Sequence, residues 1–75
     1  MAPTLTAERL RDDVAAVLGE PPESIDPDEN LMDRGLDSVR LMSLMETWRT
    51  AGADPDFTDL AQTPTVSAWA ALLSR

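Results

Sequence analysis

The sequence predicts an all-α fold: a small bundle of three principal helices plus one short helix, with a long loop between the first and the second. Three observations predict it. Apolar residues recur at helical spacing in separate stretches, each bounded by capping and breaking residues. Period-two alternation is missing and β-branched residues are sparse, so no strand is expected. The chain has 75 residues. A chain of that size buries only about 60% of the surface its unfolded form exposes, which limits it to a single economical domain over residues 1–75.

In the first helix, Leu10, Val14, Val17 and Leu18 fall at i, i+4, i+7 and i+8, one amphipathic stripe with Thr4 or Thr6 as cap. Gly19 ends it and Pro21-Pro22 prevents its continuation. From Glu20 to Leu36 the chain carries three prolines, six acids and Gly35, with Ile25, Leu31, Met32 and Leu36 as apolar anchors. This is an ordered loop rather than a linker, because two domains would each be too small to fold.

The second helix opens at Asp37, whose carboxylate can cap the first free N–H groups, and runs to about Ala51 before Gly52. Counting about 100° per residue from Ser38, Leu41, Leu44 and Trp48 gather near about 240 to 300°, with Met45 at the flank of this core face. Asp54 to Ala61, containing Phe57 and Leu60, is enough for a single helical turn. Thr65, after Pro64, caps the last helix, whose Val66, Trp69, Ala70, Leu72 and Leu73 face inward. Trp48 and Trp69 both lie on core stripes and are expected to pack there rather than to line a ligand pocket.

Composition narrows the chemistry. Six Lys plus Arg, all of them Arg, stand against fourteen Asp plus Glu, for a net charge of −8. There is no Cys, His, Lys or Tyr, so carboxylates and hydroxyls are the only groups left for chemistry, and self-contained catalysis is not expected. The lack of Cys removes disulfides and thiolate metal sites. The negative charge argues against nucleic acid and suits a partner with a basic surface. No apolar segment separates Met1-Ala2-Pro3-Thr4 from the charged residues Glu8 to Asp13, so no secretory signal is read. The longest mostly apolar stretch, Val66 to Leu73, is far below membrane-spanning length. The expectation is a soluble cytoplasmic chain with no membrane partner.

Ser38 draws attention by its place. It lies about 60 to 120° from the core cluster, directly after the cap, so its hydroxyl should be exposed. Met42 at about 40° and Val39 at about 100° lie on the same outward side, with Arg49 and Glu46 further along. The fold has no evident use for two apolar residues there, and beside a hydroxyl they read as a docking surface. By position alone Ser38 would be an ordinary first-turn residue.

Its neighbours change that reading. Gly35-Leu36-Asp37-Ser38-Val39 resembles the phosphopantetheine attachment motif of acyl and peptidyl carrier proteins, in which a serine at the start of the second helix receives the prosthetic arm. The longer pattern resembles the aryl carrier domain that ends bifunctional isochorismatases of catechol siderophore pathways. It comprises Gly35 to Met42, Trp48-Arg49, Asp56-Phe57, Leu60-Ala61, Pro64-Thr65, Ala68-Trp69 and Leu72 to Arg75. The likeness is close over Leu31 to Arg75 and only a likeness of pattern before that. No isochorismatase domain accompanies it, which leaves a free-standing carrier and a domain of a longer protein both open.

The resemblance implies a carrier-protein helical bundle without catalytic activity. Ser38 would bear 4'-phosphopantetheine taken from coenzyme A, with Asp37 and Gly35 at the attachment site. Val39, Met42, Phe57 and Ala61 would meet partners. Those partners would be a phosphopantetheinyl transferase, an aryl-acid adenylation enzyme and a downstream condensation or cyclisation domain. The cargo would be an aromatic acid of the 2,3-dihydroxybenzoate or salicylate type, held as a thioester for nonribosomal peptide synthesis. Gly35 is read as a glycine that permits positive φ. Phe57, the single Phe of the chain, is equally a core residue by composition.

Other readings stay beside this one: a peptidyl or polyketide carrier with a different cargo, and an unmodified acidic adaptor that binds through the second helix. Asp26, Asp28, Asn30 and Asp37 match positions 1, 3, 5 and 12 of a calcium loop, but Leu31 stands where the sharp turn needs Gly. These are read as solvated loop acids, and no metal is expected.

Overall fold

The computed structural model describes residues 5–73. Met1 to Thr4, including the alternative cap Thr4, and Ser74-Arg75 lie outside the described residues. Four helices follow one another: α1 (Ala7–Leu18), α2 (Ser38–Thr50), α3 (Phe57–Gln62) and α4 (Val66–Leu73), with no strand among the described residues. The predicted all-α bundle of three principal helices and one short helix is the observed one.

Each helix starts where its capping residue stands. Thr6 accepts the Arg9 N–H at 3.1 Å to open α1. Asp37 accepts the Arg40 N–H at 2.8 Å to open α2. Asp56 accepts from the N–H groups of Thr58 and Asp59 at 2.9 and 3.3 Å ahead of α3. Thr65 accepts from Ala68 at 3.1 Å ahead of α4. Each cap satisfies donors that a helix leaves unpaired at its start, a contribution of about 1 kcal/mol apiece.

The core is drawn from every element. Leu10, Val14 and Ala15 are buried on α1, Leu41, Leu44, Met45 and Trp48 on α2, Leu60 on α3, and Val66 and Trp69 on α4. Val17 and Leu18, in the last turn of α1, are only half-buried at the edge of this core, as are Ala70, Leu72 and Leu73 on α4. Leu5, which precedes the Thr6 cap, is buried with Leu10 in the same cluster. This is the placement of a hydrophobic staple, which sets the angle at which the chain enters α1.

The segment between α1 and α2 has more structure than the word loop suggests. It contains two 3-10 turns, Pro22–Ser24 and Leu31–Arg34. Ile25, Leu31 and Leu36 are buried, and Met32 is half-buried. Two backbone bonds stitch it to the chain around α4: Leu31 N–H donates to the Pro64 carbonyl at 2.8 Å and Ser67 N–H to the Pro27 carbonyl at 2.9 Å. The second of these satisfies one of the free donors at the start of α4.

The two tryptophans are both fully buried and meet edge to face, with ring centroids 5.7 Å apart and an interplanar angle of 64°. Each indole N–H reaches a partner on another helix. Trp48 on α2 donates to the Asp13 carboxylate on α1 at 2.9 Å, and Trp69 on α4 donates to the Leu60 carbonyl on α3 at 2.9 Å. A buried indole left without an acceptor would cost about 1–3 kcal/mol. Asp13 is also held 3.7 Å from Arg9 one turn earlier.

Asp13→Ala is therefore expected to lower the unfolding free energy by about 1–2 kcal/mol, because it strands the Trp48 N–H. Urea unfolding followed by tryptophan fluorescence measures this, and an unchanged midpoint contradicts it.

Candidate functional site

Gly35, Asp37 and Ser38 come together at the junction of the second 3-10 turn and α2. Gly35 closes the turn with φ 101°, and its N–H donates to the carbonyls of Leu31 and Met32. A β-carbon at this position would meet nothing within 4 Å, so the demand for glycine comes from the backbone angle and not from crowding. Leu36 then drops into the core, its N–H on the Leu31 carbonyl at 3.2 Å. A buried residue, an extended cap and a first helical residue thus follow in sequence, and the alternation turns Ser38 outward.

Ser38 is exposed, as its place on the helical wheel predicts. Its hydroxyl makes no hydrogen bond with another described residue. The N–H groups of Ser38 and Val39 likewise have no acceptor among the described residues, since the cap engages Arg40 and the Asp37 carbonyl takes Leu41. A primary alcohol free of packing thus stands beside two unpaired donors at the positive end of a helix dipole. These residues fit a phosphate ester on the hydroxyl. The Asp37 carboxylate is adjacent, but one of its oxygens is bound by the Arg40 N–H.

Val39 and Met42 are exposed to 77% and 59%, the exposed large apolar side chains of the described chain. Met42 therefore stands outside the core, in contrast to Met45 one turn edge away, which is buried. On the rim of the same outward side, Arg49 and Glu46 pair at 2.9 Å. α3 packs against α2 and carries Phe57 and Ala61, both half-buried. Phe57 leans on the core cluster and still keeps part of its ring accessible.

Three of the four side chains that match a calcium template are engaged locally. Asp26 accepts from the Asp28 N–H, Asn30 from Met32 and Asp37 from Arg40, each at 2.8 Å. They serve as turn and helix caps. Arg34, next to Gly35, shows neither a periodic nor a capping signature. The only signal that marks it is its being the one cation in the stretch from Glu20 to Leu36 with its six acids.

Comparison with known proteins bears on the motif directly. The family described as "Phosphopantetheine attachment site" matches residues 8–73. The isochorismatase of Bacillus subtilis is 49% identical over 69 residues, 92% of this chain and 22% of that protein. Enterobactin synthase component B of Escherichia coli is 50% identical over 66 residues, 88% of this chain and 23% of that protein. Phenyloxazoline synthase MbtB of Mycolicibacterium paratuberculosis is 44% identical over 68 residues, 91% of this chain and 6% of that protein. The chain thus spans less than a quarter of the length of each of these relatives. No solved structure matches it significantly. The family carries covalently attached 4'-phosphopantetheine, and with that the reading as an unmodified acidic adaptor gives way to a carrier role. A match that runs through all four helices, with a free alcohol at the threshold of α2 inside it, makes this chain a member of the phosphopantetheine attachment-site family.

Proposed function

We propose that Ser38 is the attachment residue and that the domain carries an aromatic acid for nonribosomal peptide synthesis of a siderophore. The observation that carries this reading is the exposed, unpartnered Ser38 hydroxyl at the first position of α2. The relatives support this reading of the cargo, being an enterobactin synthase component and a phenyloxazoline synthase. A 2,3-dihydroxybenzoate or salicylate type of acid is the cargo proposed, with a peptidyl or polyketide carrier of another acyl group as the alternative.

The chain lacks any thiol. When attached, phosphopantetheine supplies one, on which an acyl group is held as a thioester. The Ser38 oxygen provides the nucleophile: it bonds to the β-phosphorus of coenzyme A, the adenosine bisphosphate half leaves, and the hydroxyl proton passes to a base. That base belongs to the phosphopantetheinyl transferase, because the carboxylate nearest in sequence, Asp37, is committed to the helix cap. The unpaired N–H groups of Ser38 and Val39 would help hold the phosphate of the arm, a helix-end interaction of about 0.3–1 kcal/mol. Asp37 opposes part of this gain and offsets it by holding the helix start in place.

Val39 and Met42 supply an apolar strip beside the arm for enzymes that bind in succession. An unbranched thioether can repack against several partner surfaces. Phe57 and Ala61 extend the proposed partner face onto α3. The net charge of −8 favours basic partner surfaces and faster encounter with them. An aryl-acid adenylation enzyme would load the arm, and a condensation or cyclisation domain would take the acyl group from it.

Two outcomes are expected. Ser38→Ala should keep the helical fold and melting temperature while losing all mass gain when treated with coenzyme A and a permissive transferase, since an outward serine contributes little packing. A variant that still acquires the arm contradicts the assignment. Met42→Ala should slow acyl transfer to the condensation enzyme about fivefold, the loss of roughly 1 kcal/mol of docking energy, while stability changes by less than about 0.5 kcal/mol. Unchanged transfer rates together with a large drop in melting temperature would place Met42 in the core instead.

A further inference from the structure

We propose that Arg34 is a positioning residue for Ser38, a guanidinium clamp that holds the acidic loop and the turn before α2 in the arrangement a transferase recognises. The proposal rests on the reading of Ser38 as the attachment residue.

Among the described residues, the other ion-paired arginines reach only near neighbours. Arg9 meets Asp13, Arg11 meets Asp12 and Arg49 meets Glu46. Arg34 instead turns back across the loop. Its Nη1 donates to the Ser24 carbonyl at 2.9 Å and to Glu29 Oε1 at 3.0 Å. Its Nη2 donates to Ser24 Oγ at 3.1 Å and lies 3.8 Å from Glu20 Oε1. One planar fork therefore joins three separate places in the chain, which the point charge of a lysine could not do with the same geometry.

The partners are themselves fastened. Glu29 Oε1 also accepts the Asp26 N–H at 2.9 Å, and Ser24 Oγ donates to the Pro21 carbonyl at 2.7 Å. This matters because the loop has few apolar anchors. Ile25, Leu31 and Leu36 are buried, but no residue of Glu20 to Ser24 or of Asp26 to Asn30 is. Those stretches depend on polar contacts, and their carboxylates repel one another once the cation is gone. With its side chain 25% exposed, against 53% for Arg49, Arg34 is the least screened of the ion-paired arginines, so its contacts are the ones that water weakens least.

The clamp is coupled to the serine through a short path. Arg34 ends the 3-10 turn, Gly35 reverses the backbone at φ 101°, Leu36 anchors in the core and Asp37 caps α2. Arg34 makes no contact with Ser38, its partners being Ser24, Glu29 and Glu20, so its effect is on how often the turn stands in one arrangement. If that fraction falls, the apparent affinity for an enzyme that binds this surface falls with it, while turnover of the bound complex is untouched.

The test uses the full chain with Arg34→Met, which keeps the aliphatic stem, and Arg34→Lys, which keeps the charge. Amide hydrogen exchange is read residue by residue, and pantetheinylation is followed by initial rates with coenzyme A and a transferase. For Arg34→Met, exchange at Ser24, Ile25, Asp26, Gly35 and Leu36 should quicken, while that at Leu41 to Trp48 stays as in the parent. The KM for the carrier should rise about tenfold with kcat unchanged, as for a competent fraction reduced to about a tenth. Arg34→Lys should restore part of both effects. Exchange quickening evenly through α2 would reduce Arg34 to a general stabiliser, and an unchanged KM would overturn its positioning role while the parent is still modified at Ser38. A parent chain left unmodified at Ser38 would overturn the attachment reading and the positioning role together.

Discussion

The edge-to-face contact of Trp48 with Trp69 is the interaction on which the rest of this small structure depends. Two indoles each bury about 150–250 Å² and their pairing adds about 0.5–1.5 kcal/mol, a large share of what a domain of this size can gather. Their N–H groups settle the geometry further, one on the Asp13 carboxylate and the other on the Leu60 carbonyl. All four helices are linked through this pair: α1 to α2 by one indole, α3 to α4 by the other, and the two halves by the rings. The short α3 depends on it most, since an isolated helix of its length has no stability in water.

With the core anchored in this way, the face of α2 opposite Trp48 is released from packing duties. Leu41, Leu44, Met45 and Trp48 meet the core, leaving Ser38, Val39 and Met42 to solvent. A carrier needs that division. The proposed attachment residue, to be reached by several enzymes in turn, can hold no pocket around its hydroxyl, yet the backbone beneath it must not wander. The buried Leu36 on one side and the Asp37 cap on the other hold the helix start without covering Ser38. The loop completes the frame by binding to the chain around α4 through the backbone of Leu31 and Ser67. The site is thus built from local capping chemistry, but its stillness comes from contacts made far along the chain.

Charge follows the same division. Carboxylates crowd the surface, and those of Asp26, Asp37 and Asp56 are turned to structural use as caps of helices and turns. What remains is a negative exterior with a small apolar strip, Val39 and Met42, beside the exposed Ser38 hydroxyl.

Most of the helical plan could be read from the sequence by itself, because helix boundaries here are set by local chemistry. Thr6, Asp37 and Thr65 cap where their side chains can reach back to free N–H groups, Gly19 closes α1, and the 3.6-residue stripes identify Leu10, Val14, Leu41, Leu44, Trp48 and Trp69 as core. The outward setting of Ser38 followed from the same periodicity, and the family followed from the motif around it. Other features were decided only by tertiary structure. The meeting of Trp48 with Asp13, the bonds of Leu31 to Pro64 and of Ser67 to Pro27, and the reach of Arg34 to Ser24 and Glu29 join residues that no local pattern connects. Periodicity reports which side of a helix is apolar, and capping reports where it begins, but neither carries the distances between segments. Those are set only when the helices close on one core and bring distant donors and acceptors within reach.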